Sequence, residues 1–111
     1  MQPIPQNGKG LAYAEVVLRA RLQAGAATEA FYLNKWTALE DAARILEQTA
    51  RMLVKTTDVP ARQKDRLNAH ADELAKEAMD LQQSASAQDE KRSNDALQRI
   101  HLKVRELRPE G

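Results

Sequence analysis

The chain has 111 residues, 42% apolar and 30% charged, with 17 basic against 16 acidic side chains and a net charge of +1. That balance predicts an ordinary soluble globular domain and gives no field to gather nucleic acid; no apolar run approaches the roughly 20 residues of a membrane-spanning helix. Cysteine is absent, which removes disulfides, thiolate metal sites, thiol catalysis and thioether-linked haem.

Glycine and proline number four each, and only Gly25 and Pro60 lie away from the two ends. With 19 alanines, 13 leucines and four large aromatic residues, the composition predicts an all-helical protein, since sheets favour β-branched and aromatic runs with frequent turn residues. Residues 1–9 are expected to form a flexible segment. They have neither the basic flank nor the apolar stretch of a signal peptide, which implies a cytoplasmic protein or a chain that starts behind a removed leader. A single domain is expected over 10–108, with 109–111 as a tail.

The first helix is expected over 10–25, with a stripe of Leu11, Ala14, Leu18, Leu22 and Gly25. Gly25 disfavours helix, and a turn is expected between Ala24 and Lys35; without one, a long first helix would need a partner chain. The second helix, 28–55, carries Trp36, Leu39, Ala43, Leu46, Ala50 and Leu53 at alternating spacings of three and four, a heptad-type stripe. Glu40 with Arg44 and Glu47 with Arg51 stand at i, i+4 on its polar side. Asp58 is expected to cap the next helix, with Pro60 in its first turn. That third helix, 60–83, shows Leu67, Ala71, Leu74, Ala78, Leu81 and Ala85; the fourth, 88–107, shows Leu97, Ile100, Val104 and Leu107, with Ser86 or Asp89 as its cap. Short connections between helices of similar length predict an antiparallel up-down four-helix bundle.

Few constellations for chemistry appear. A di-metal carboxylate bundle needs Glu-x-x-His on two helices, but Leu67 and Gln98 stand three residues before His70 and His101. His70 with Glu73 forms a weaker candidate metal pair, and His101 a candidate cofactor ligand; a solvated polar helix face accounts for both without any metal. Ser, His and Asp occur without a Gly-x-Ser-x-Gly turn or a phosphate loop, which argues against hydrolase and nucleotide-binding functions. Tyr13, Phe31, Tyr32 and Trp36 gather the large rings. They read as the plug of one bundle end, or else as a pocket or an anchor for another protein.

The stretch from Asn34 to Ala43 (Asn-Lys-Trp-Thr-Ala-Leu-Glu-Asp-Ala-Ala), the Asp58-Val59-Pro60 turn, the Leu74-Ala75-x-x-Ala78-x-x-Leu81 helix and the run from Asp95 to His101 leading to Leu107-Arg108-Pro109 resemble the bacterial cytochrome c-prime-like and cytochrome b562-like four-helix bundles. In the c-prime family the last helix carries Cys-x-x-Cys-His, then two residues, an aromatic residue and an arginine. Aligning that arginine with Arg108 places Ile100 and Lys103 at the cysteines and Val104 at the axial histidine, and the first helix offers no methionine as a second ligand. The resemblance implies the scaffold without the haem, and a periplasmic location. The resulting expectation is a non-enzymatic binding or protein-interaction protein that holds no cofactor and engages a partner protein or a second copy of itself. The alternative is a protein binding haem or a metal non-covalently through His101 or His70.

Overall fold

The computed structural model describes residues 12–107; the expected flexible start, Leu11 of the first stripe, Arg108 and the tail lie outside them. Helix α1, Tyr13–Tyr32, runs through Gly25 without a break, so the expected end of the first helix at 25 and the expected start of the second at 28 are both wrong. One interior glycine costs a helix about 1 kcal/mol relative to alanine, too little to end twenty residues that are otherwise largely Ala, Val, Leu and Arg. The turn falls at the far end of the expected stretch from Ala24 to Lys35. Asn34 adopts φ 59°, and the N–H groups of Lys35 and Asn34 donate to the carbonyls of Ala30 and Phe31, a Schellman closure made without glycine.

Helix α2, Trp36–Met52, tightens into a 3-10 turn at Leu53–Lys55. Thr56 donates to the Leu53 carbonyl through both its N–H and its Oγ1, closing that last turn. Pro60 is then the N-cap of α3, Ala61–Lys64, which is followed after a two-residue interruption by α4, Leu67–Ser86. The expected single third helix is thus two, and Asp58 caps neither: it sits at φ 59° inside the connecting turn. Gln88 at φ 53° closes α4 as Asn34 closes α1, with Asp89 N–H donating to Ser84 O and Gln88 N–H to Ala85 O. Asp89 caps α5, Glu90–Glu106, its carboxylate accepting from Arg92 N–H at 3.1 Å.

The chain is all-α, with five helices and no strand among the described residues; Ala12 and Thr57 make one isolated bridge. Helix α1 packs on α2 and α5, α2 on α4, and α4 on α5. On α2, α4 and α5 the expected stripes point inward: Leu39, Ala43, Leu46, Ala50, Leu53, Ala71, Leu74, Ala78, Leu81, Ala85, Leu97, Ile100, Val104 and Leu107 are all buried. On α1 the expectation fails. Its buried face is Tyr13, Val16, Val17, Ala20, Ala24, Ala27 and Ala30, while Ala14, Leu18, Leu22 and Gly25 face outward. Four alanines bring the α1 backbone close to its neighbours, a fit that a leucine face would hold further off.

Candidate functional site

The four aromatic residues do not form one cluster. Phe31 packs edge-on against Trp36 at 6.1 Å between ring centroids and tilts against Tyr32 at 5.7 Å. Phe31 and Trp36 lean on the core while Tyr32 is exposed. Tyr13 belongs to the other end of α1. It is fully buried, its hydroxyl donates to the Leu107 carbonyl at 2.6 Å, and its own N–H donates to Thr57 O at 2.8 Å. Burial disfavours the phenolate and pushes its pKa up to about 12.

His101 projects from α5 toward α1, where Nε2 lies 2.7 Å from Thr28 Oγ1. The Thr28 hydroxyl spends its hydrogen on the Ala24 carbonyl, 2.9 Å away, so it must accept from His101, which places the ring proton on Nε2. Arg21, Val104 and Arg105 line a groove of about 290 Å³ beside the ring. The residues aligned with the c-prime haem site do not fit that group: Ile100 and Val104 are buried in the core, and Lys103 Nζ donates to Glu73 at 2.6 Å. His101 would have to give up its bond to Thr28 to ligate through Nε2.

Glu73 is therefore committed to Lys103 rather than to His70. The hydrogen bond and charge of Lys103 hold the Glu73 carboxyl below its usual range, and Glu73 in return raises the lysine. His70 faces a different carboxylate, with Nδ1 3.6 Å from Glu106 Oε1, too long for a hydrogen bond and attractive only when the ring is protonated. Gln63 fixes that corner by donating to the Glu106 carbonyl at 2.9 Å, and Arg62 and Arg66 line the same groove of about 420 Å³. Among the described residues no three His, Asp or Glu side chains gather as a metal site.

On the outer face of α1 the sequence names Tyr32 alone as a possible anchor for another protein, and it places Leu18 and Leu22 in the core stripe. Leu18, Leu22, Tyr32 and Leu33 are 48%, 65%, 73% and 55% exposed, on a helix whose other face is already spent on the core. The signal was present as a second alternation of threes and fours in the same residues, but it was assigned to the core. Comparison with protein-family models, curated proteins and solved structures finds no match to the chain. Among the described residues no helix is long and apolar enough to cross a membrane.

Proposed function

We propose that this chain is a non-enzymatic interaction protein: an antiparallel, up-down four-helix bundle on a scaffold of the cytochrome c-prime or b562 kind, without haem, acting in the periplasm. Contacts between α1 and α2, α2 and α4, α4 and α5, and α5 and α1 support the closed ring of helices that such a bundle needs. The observation that carries the interaction reading is the outer face of α1. A helix with one side in a core ordinarily makes the other side polar, and exposed leucines one turn apart, as Leu18 and Leu22 are, mark a surface that another molecule can cover.

Two measurements test the proposal. Titration with haemin is expected to leave the free-haemin spectrum unchanged; a stoichiometric Soret band that His101→Ala abolishes would overturn the haem-free reading. The Leu18→Asp/Leu22→Asp variant is expected to keep its far-UV circular dichroism while its native mass in cell extract drops to the 12.4 kDa of the single chain. Wild-type protein that migrates at that mass both in fresh extract and, purified, at high micromolar concentration contradicts the interaction reading.

A further inference from the structure

Helix α1 carries two heptad seams. The inner one runs Tyr13, Val17, Ala20, Ala24, Ala27 and Phe31; the outer one, Leu18, Leu22, Gly25, Glu29 and Tyr32, keeps the same alternation and is exposed at every position. Gly25 stands at its centre. A Cβ there would meet nothing within 4 Å, so no contact inside the molecule calls for glycine, whereas an exposed seam glycine lets a second helix come close.

We propose that α1 pairs antiparallel with α1 of a second copy of this chain, crossing between Leu22 and Gly25. The inference rests on the reading of the outer α1 face as an interaction surface and names its occupant. Charge selects both the partner and the direction. In a parallel pair Glu29 would stack on Glu29 and Glu15 on Glu15, like charges along a desolvated seam. Antiparallel, Leu22 of each copy covers Gly25 of the other, Leu18 lies along the aliphatic stem of Glu29, and the Glu29 carboxylate comes within reach of Arg21. No ion pair engages Arg21 or Glu29 among the described residues, and two-fold symmetry makes each new pair twice. A twenty-residue helix offers an interface at the low end of the roughly 1,200–2,000 Å² that specific contacts bury, so the dimer is weak and concentration-dependent.

Sedimentation velocity of the full chain, from low to high micromolar concentration, is expected to show a monomer–dimer equilibrium. Leu22→Glu should remain monomeric with an unchanged circular dichroism spectrum. Gly25→Ala should weaken the dimer by about tenfold while raising the urea midpoint measured at a concentration where the chain is monomeric; a glycine with only a structural role would not move the two in opposite directions. Arg21→Glu and Glu29→Arg should each weaken the dimer, and the double exchange should restore it. A wild-type monomer at every concentration, or a Gly25→Ala dimer as tight as wild type, overturns the proposal. If the purified chain is monomeric but its larger native complex in extract still collapses in Leu18→Asp/Leu22→Asp, self-pairing fails and the interaction surface stands.

Discussion

Tyr13 joins the beginning and the end of the described chain through one hydrogen bond, from its phenol to the Leu107 carbonyl. Because its folded pKa is raised from 10.0 to about 12, its contribution is complete below the unfolded value and is lost as pH climbs through the folded one. Tyr13→Phe should lower the unfolding free energy by about 1–2 kcal/mol at neutral pH and flatten the alkaline decline. Urea unfolding at stepped pH checks this, and a variant whose decline still matches wild type would show that Tyr13 is not its source. Ser84 and Ser93 supply a second test. Ser93 Oγ donates to Ser84 Oγ at 3.0 Å, Ser84 Oγ donates to the Leu81 carbonyl at 3.1 Å, and both residues are fully buried. Ser84→Ala orphans the Ser93 hydroxyl and should cost about 1–2 kcal/mol, whereas adding Ser93→Ala should return part of that loss; strictly additive costs in a double-mutant cycle would refute the coupling. Periodicity could not reveal such pairs. Residue type misleads as well: it groups Tyr13 with Phe31 as large rings, although eighteen residues of helix at 1.5 Å each separate them by roughly 27 Å.

The helices themselves were largely evident from residue spacing, and their ends were not. Leu39, Ala43, Leu46, Ala50 and Leu53 on α2 and its following turn, and Ala71, Leu74, Ala78, Leu81 and Ala85 on α4, are buried as their alternation implies, because large and small residues alternate on a single face. Helix α1 misleads because it has two such faces, and the one richer in leucine is outside. The turns mislead because glycine, the usual left-handed residue, occurs at neither Schellman closure; Asn34 and Gln88 take that conformation instead, at a cost of about 1 kcal/mol that glycine would avoid. Two glycine exchanges should therefore stabilise the chain in the monomeric state. Gln88→Gly relieves the left-handed strain, and Gly25→Ala restores helix propensity where a Cβ meets nothing, each by about 0.5–1 kcal/mol. Asp89→Ala should act the opposite way, by about 1 kcal/mol, through loss of the α5 cap. Chemical denaturation of the three variants decides; a destabilised Gln88→Gly would mean that the glutamine side chain holds this turn.

Across the molecule, the charged side chains among the described residues tie α2, α4 and α5 together and leave α1 apart. Arg92 and Arg99 converge on Asp80, Arg99 also bonds Glu77 at 2.7 Å, Lys103 bonds Glu73, and Gln82 of α4 donates to Glu47 of α2 at 2.7 Å. Of the two pairs expected on α2 only Glu47 with Arg51 forms; Arg44 turns instead to Asp41, one turn back. Pairs within a helix follow from counting residues, but those between helices depend on axial register, which no spacing rule supplies. Most of these bridges are exposed and screened by solvent, so each adds little, but two have a pH signature. Glu47, hydrogen-bonded by Arg51 and Gln82, and Glu73, hydrogen-bonded by Lys103, both titrate below the usual 4.5. A depressed folded pKa adds stability above the unfolded value, and that stability disappears as pH falls through the folded one. The urea midpoint of wild type should accordingly drop as the solution is acidified below 4.5, and Glu47→Gln/Glu73→Gln should start lower at neutral pH and lose less on acidification. Parallel acid profiles for the two proteins would assign the acid sensitivity to other carboxylates.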